Sequence, residues 1–405
     1  MKRDAVLEII RYNQGFDRNS LRRKLEAMCS APFEFFRATS HLFALDVGGA
    51  CEGPKGLILG DLHAENFGTY RAVSNKIVYD INDFDDCTQG AYEYDLRRLL
   101  ASLVIGGEQA KLPVSACVAA CEAAVDEYLS SIRRFRKAKR RKDFEKLEPT
   151  SAVKRLLSVA SEKSRVAMLR ELVSQDRKSG AFQFRGDVRK FAPLDKAQRA
   201  AIEKAVSHCK VPAGADPSHY VFEDAVFRFA GKGSLGRQRY AILLRKGIAA
   251  REDFSAMRLI EWKESFDSPL HAAKPARREQ SKRRAKDLVD ASLQFQMDPK
   301  RYCGYTTVSG RPFQTREIGA NDDRFSPKQY AVAARLASAA KVFGGITARA
   351  HLLSSLGDQG PRELTETGRF GRRMVALALE YAEQTQRDYA VFCQRREEVR
   401  KAWKV

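Results

Sequence analysis

"GLILGDLHAENFGTY", residues 56–70, and "KIVYDINDFDDC", residues 76–87, decide how this chain is read. In each, a short apolar run ends on polar residues. The first ends on an acid, a histidine and an asparagine, the second on a group of aspartates. "GLILG" and "KIVYDI" are bounded by turn residues and predict a strand pair around the acids. Asp61 and Asn66 fit D-x-x-x-x-N, and Asp83 and Asp85 follow the second run two residues apart. In extended chain, residues i and i+2 point the same way, which lets Asp83 and Asp85 share one cation. Oxygen-only ligands suit magnesium, which takes one or two carboxylates plus substrate phosphates; Asn66 adds a neutral oxygen of the same hard type. Asp61 is then left as the base for a hydroxyl nucleophile, the division of labour that phosphoryl transfer needs. The plainer reading of any one of these acids is a turn former or helix cap. The acids at 80, 83, 85 and 86 would, however, repel one another without a cation. A simple calcium site is the other metal reading, although the spacing lacks the EF-hand order.

The bulk of the sequence fits a globular protein. Its 405 residues allow two or three domains, with 44% hydrophobic and 30% charged residues. There is no long apolar run, so no membrane span is expected, and the first twenty residues lack the apolar core of a secretory signal. Eight scattered cysteines, none in a C-x-x-C pair, read as free thiols in a reducing cytoplasm. Cys117 and Cys121 are four apart and are expected on one helix face. The 72 Lys and Arg against 51 Asp and Glu give a net charge of +21, which favours an anionic partner without naming it.

Along the chain, residues 1–50 carry a helical period broken near Pro32, and the period returns from residue 92 to 135. Residues 143–215 read as helical and polar. "VFRFAGKGSLGRQRYAILLR" and "YTTVSGRPFQTREI" alternate about glycine turns, as β-hairpins do, with "AMRLIEWKES" a strand and residues 274–296 a charged helix between them. From Pro327 the chain is helical again. This divides it into residues 1–215, a small β-rich unit at 216–325, and helices at 326–405. The fold class is α+β, with a cleft expected between two lobes.

"AGKGSLGRQRY" contains Gly231, Gly233 and Gly236 in a G-x-G-x-x-G. The pattern fits a Rossmann turn, a phosphate-covering loop of the kinase kind, or an ordinary hairpin. A Rossmann loop opens a helix, whereas "RQRYAILLR" is β-like, which favours strand–loop–strand over phosphates. Lys263, at the end of the next strand, suits contact with those phosphates. Its acidic partner is expected on the following helix, at Glu279, Asp287 or Asp290.

These segments together resemble the bacterial DUF2252 family. They also resemble aminoglycoside and choline phosphotransferases, which have the protein-kinase-like fold. The resemblance rests on "GDLHAENFG", "VYDINDFDD" and "YEYDLRRLLASL", then on the glycine loop, "IEWKES", "RPFQTREI" and the helix at 331–353. It covers most of the chain outside 140–215. It implies ATP and magnesium as cofactors, with Asp61, His63 and Asn66 in the catalytic loop. It further implies Asn66, Asp83 and Asp85 at the metal, and Gly231, Gly233, Ser234, Gly236 and Lys263 on the nucleotide. Asp95 would support the catalytic loop. In ordinary kinases the glycine loop precedes the catalytic loop; here it follows by about 170 residues, which implies a circular permutation.

The function expected is therefore an ATP- and magnesium-dependent phosphotransferase acting on an unidentified hydroxyl acceptor. AMP transfer on the same fold is an alternative. So is a pseudoenzyme or nucleic-acid-associated protein using the basic runs at 133–142 and 274–286. His351 is expected to be a packed core histidine near the catalytic loop, and Arg316 has no assigned role.

Overall fold

The structure is a computed structural model that describes residues 3–144, 149–176, 180–186, 190–213, 220–230, 236–247, 253–271, 283–356 and 367–405. The Rossmann-versus-hairpin loop residues Gly231, Gly233 and Ser234, and Glu279 with the run at 274–282, lie outside them.

The chain opens with α1 (Ala5–Tyr12), α2 (Arg18–Ser30), α3 (Pro32–Ala38) and α4 (Ser40–Val47). Short strands β1 (Lys55–Ile58), β2 (Phe67–Arg71), β3 (Ile77–Ile81) and β4 (Thr88–Ala91) lead into α5 (Tyr92–Gln109) and α6 (Val114–Arg134). Then come α7 (Ser151–Ser161), α8 (Arg165–Leu172), β5 (Val173–Gln175), β6 (Phe182–Phe184), β7 (Phe191–Ala192), α9 (Lys196–Val206) and β8 (Lys210–Ala213). The β-rich stretch holds β9 (Tyr220–Arg228), β10 (Arg239–Lys246), β11 (Met257–Glu264), α10 (Arg284–Phe295), β12 (Cys303–Val308), β13 (Arg311–Glu317) and β14 (Asp323–Arg324). The chain closes with α11 (Pro327–Tyr330), α12 (Ala333–Ser354), α13 (Thr367–Gln394) and α14 (Arg396–Trp403). It is a mixed fold of helices and antiparallel sheets. Among the described residues no helix is long and apolar enough to cross a membrane.

The main sheet is antiparallel, in the order β7-β9-β10-β11-β13-β12-β8. β12 and β13 are joined through Ser309 and Gly310, both at positive φ, the two-residue turn that matches strand twist. Alternation gives the sheet two different faces. Tyr240, Ile242, Ile260, Trp262 and Phe313 pack on Ile202, Ala205 and Val206 of α9. On the other face, Val226, Ala241, Leu243 and Leu259 are covered by Leu169, Val173, Phe182 and Phe184. The register Arg239↔Lys263 and Glu261↔Arg316 puts charged residues beside that second apolar patch.

Two expectations change. "GLILG" and "KIVYDI" do not pair with each other: β1 pairs with β4, and β2 pairs with β3 through a tight turn, with β14 along the other edge of β2. β2 and β3 are adjacent in sequence and close on each other, which leaves β1 to pair with the next strand, β4. Residues 143–215 are not helical throughout. They contribute β5–β8, and β7 and β8 form the two edges of the main sheet ahead of residue 215. These strands have two to four residues, too short for a period to register.

The largest apolar core gathers α5, α6 and α12. Cys117 and Cys121 share the face of α6 that meets α5, their thiols donating to the Val104 and Leu100 carbonyls at 3.9 and 3.6 Å. α12 crosses α6 so closely that a Cβ on Gly344 would overlap the Ala124 carbonyl. Gly344→Ala is therefore expected to cost about 3 kcal/mol, by forcing two packed backbones apart. A urea-denaturation midpoint equal to wild type would contradict this crossing. A second core brings the two ends of the chain together: Val6, Ile9, Leu21 and Leu25 pack with Phe392, Val399 and Trp403.

Candidate active site

The site begins with one buried carboxylate. Asp95, in the first turn of α5, accepts the backbone N–H groups of Leu59 and Gly60 at 2.7 and 2.8 Å. It also accepts His351 Nε2 at 3.0 Å, and the Tyr128 hydroxyl sits 2.9 Å from His351 Nδ1. His351 is thus packed in the core, and it reaches the Leu59–Gly60 turn through Asp95. Gly60 has φ +79 and lies against the Asp86 carbonyl, so the chain turns there as only glycine allows.

The turn delivers Asp61 to the floor of a cleft, its side chain 22% exposed. Arg98 pairs with it at 2.8 Å, its guanidinium seated 3.6 Å over the Phe36 ring. Burial pushes the Asp61 carboxyl up to about 7, against the pull of Arg98 and with help from Asp86 and Asp83. The Asn66 amide donates to the Asp61 carbonyl at 2.9 Å, which leaves its oxygen as the acceptor of that side chain. Asn82 N–H donates to the Asn66 carbonyl at 2.9 Å and ties this loop to the aspartates. His63 is buried beside them. Desolvation, with Arg37 and Arg98 nearby, holds it well below the usual imidazole range, so it is neutral.

The four acids at 80–86 were expected to need a cation, and the protein's own side chains supply it. Asp80 pairs with Arg349 at 2.6 Å. Asp86 pairs with Arg237 at 3.0 Å. Asp85 meets Lys263, accepts from Gln314, and lies 3.3 Å from Arg237. Asp83 lies 3.5 Å from Lys263. Lys263, 2% exposed, thus finds its acids in the 83–85 loop and not on α10. Asp290 is paired with Lys286 on that helix. Burial lowers the Lys263 ammonium to about 8, partly offset by Asp83. For Asp83, burial is outweighed by Lys263, Arg316 and Arg239, which hold the carboxyl below the usual range.

Among the described residues, no three His, Cys, Asp or Glu side chains are arranged as a ready metal cage. Asp83 Oδ1 is nonetheless buried with no contact tighter than its 3.5 Å approach to Lys263, and Asn66 lines the same cleft. Magnesium asks for no more than one or two such protein ligands. Asp85 is the less suited, because Lys263, Gln314 and Arg237 already take up its oxygens.

The glycine loop is bounded by β9 and β10, antiparallel neighbours, so a strand and not a helix follows it. This removes the Rossmann reading. Gly236 ends the loop at φ +107, directly against the Phe16 ring of the α1–α2 connection. The lining of the cleft also contains Tyr12, Phe16, Lys24, Arg37 and Arg324, which no motif marked, and Arg237, Arg239 and Arg316, which lie in motif segments without an assigned role. Arg316 bonds Glu261 at 2.8 Å and the Asn82 carbonyl at 2.6 Å, joining the sheet to the aspartate loop. Arg98, the partner of Asp61, had a sequence signal, standing one helical turn after Asp95 in "YEYDLRRL". Ion pairs across the cleft leave about 60 Å³ of open space.

The basic run at 133–142 splits in role. Arg141 caps the C-terminus of α10, bonding the carbonyls of Leu293, Gln294 and Gln296. Arg133, Arg134, Arg136, Lys137, Lys139, Arg140 and Lys142 are exposed.

The architecture and cleft define a mixed α/β protein with a paired acid and cation site against the central strands β10, β11 and β13 of an antiparallel sheet. The chain belongs to the family described as an uncharacterized protein conserved in bacteria (DUF2252), whose profile matches residues 17–395. No curated protein and no solved structure matches it.

Proposed function

We propose that this cleft transfers a phosphorus-containing group from magnesium-bound ATP to a hydroxyl acceptor, as a kinase-like phosphotransferase. The observation that carries this reading is the meeting of Lys263 with Asp83 and Asp85. These residues are about 180 apart in sequence, yet the ammonium lies 3.5 Å from Asp83 and pairs with Asp85. A two-lobed kinase-like fold, circularly permuted between α12 and β1, accounts for that meeting. It also accounts for the order of the β-rich stretch, in which a glycine loop, a lysine strand and one helix precede two further strands. Ser354, at the end of α12, donates to the Leu57 carbonyl of β1 at 3.3 Å, so the two sides of the proposed break lie together.

In this reading Asp61 takes the proton of the acceptor hydroxyl. Arg98 and the Asn66 amide hold it in place. Asn66 and Asp83 would hold magnesium, which neutralises phosphate charge when bound. Lys263 leaves Asp85 for the phosphates, and neighbouring arginines balance the rest. The small open volume means that substrate binding exchanges ion pairs within the protein for pairs to phosphate.

Asp61 must be ionised to act as a base, and its carboxyl is pushed up to about 7. Turnover is expected to rise as pH increases through about 7, as that proton is lost. Asp61→Asn is expected to be slow, with no acid limb. Magnesium-dependent ATP consumption measured from pH 5.5 to 8.5 checks this. Equal rates in wild type and Asp61→Ala would overturn the reading.

A second reading, AMP transfer from a nucleotide bound end for end, is favoured by one observation: the arginines gathered on Glu261.

A further inference from the structure

Glu261 is 1% exposed on the cleft-facing side of β11. Three guanidiniums converge on its carboxylate. Arg239 is at 3.0 Å, Arg316 at 2.8 Å, and Arg228 is bonded to the same oxygen as Arg239. One acid among three arginines leaves two positive charges in excess. Asp83 and Asp322 also act on these arginines, but each is shared with a lysine, Lys263 at 3.5 Å and Lys300 at 2.5 Å, so positive charge stays in excess. Buried charge of one sign is costly unless an anion joins it. Arg239 and Arg316 line the cleft, so an anion entering beside Asp83 reaches them.

The opposite end of the cleft has another character. Tyr12 stacks on His41 at 3.9 Å, and Phe16 packs on Gly236 and edge-on to Phe266. The two ends are ordered along the chain at β10. The aromatic contact is at Gly236 and the arginine cluster starts at Arg239, three residues and roughly 10 Å further along extended chain. A purine suits the aromatic end, and the terminal phosphates of a nucleoside triphosphate suit the arginine end.

We propose that the arginines on Glu261 bind the two terminal phosphates of the nucleotide, so that the α-phosphorus is attacked and AMP is the group transferred. This rests on the reading of the cleft as a magnesium–nucleotide site. The acceptor oxygen bonds to the α-phosphorus, and the bond from that phosphorus to the bridging oxygen breaks. Pyrophosphate leaves with the electron pair. The hydroxyl proton passes to Asp61 and then to solvent.

The test uses the full chain with inorganic pyrophosphate and orthophosphate as probes, titrated by calorimetry at fixed salt. Pyrophosphate is expected to bind at least tenfold more tightly than orthophosphate. Arg316→Met and Arg228→Met should each weaken pyrophosphate at least tenfold, and Arg316→Lys, which keeps the charge, less than threefold. With magnesium and ATP, slow turnover to water should yield AMP and pyrophosphate. Equal pyrophosphate affinity in the Met variants, or ADP as the product, overturns this proposal and leaves the nucleotide site standing. Absence of any ATP binding by wild type overturns both.

Discussion

Asp83→Ala is expected to lower magnesium-dependent ATP consumption about 10³-fold, equivalent to about 4 kcal/mol of lost transition-state stabilisation. The reason lies in where the carboxylate sits. Its Oδ1 is buried, and Lys263, Arg316 and Arg239 keep it ionised. A buried, charged oxygen that an ammonium approaches no closer than 3.5 Å is the kind of ligand a hard cation takes. Removing it also unbalances Lys263, which still has Asp85. The fold should therefore hold, with a thermal midpoint within a few degrees of wild type. Steady-state rates at saturating magnesium, beside a melting curve, separate the two effects. A loss smaller than tenfold in a folded variant would remove Asp83 from the proposed metal site.

Asp95→Ala should have the largest effect on stability, about 4 kcal/mol. The carboxylate is fully buried and satisfies Leu59 N–H, Gly60 N–H and His351 together. Each buried donor left without an acceptor costs about 1–3 kcal/mol. Asp95→Asn keeps one acceptor oxygen and is expected to lose roughly half as much. Urea denaturation measures both. A midpoint for Asp95→Ala equal to wild type would mean that the Asp61 loop holds its shape without this support.

What could be read in the sequence was local. The β12–β13 hairpin was visible because Ser309-Gly310 permits positive φ at both turn positions. Lys263 and the aspartates at 83 and 85 stood out by strand position, and Asp95 by its motif. The pairing of β1 with β4 was not visible, because four-residue apolar runs carry no signal for their partner. Residues 165–184 gave no motif. Leu169, Phe182 and Phe184 from this stretch cover the apolar patch of the main sheet beside Glu261.

The sequence by itself determined which stretches cluster carboxylates and amides, which turn on glycine, and that basic residues outnumber acidic ones, 72 to 51. Those are properties of residue type and near spacing. Only the tertiary structure decided that Lys263 meets Asp83 and Asp85, and that Arg237 closes on Asp86. It alone gathered Arg228, Arg239 and Arg316 on Glu261. Charge pairing reaches only a few ångströms and takes no account of sequence distance. In a chain with 72 basic residues, the partner of a given acid is set by which strands the sheet places side by side.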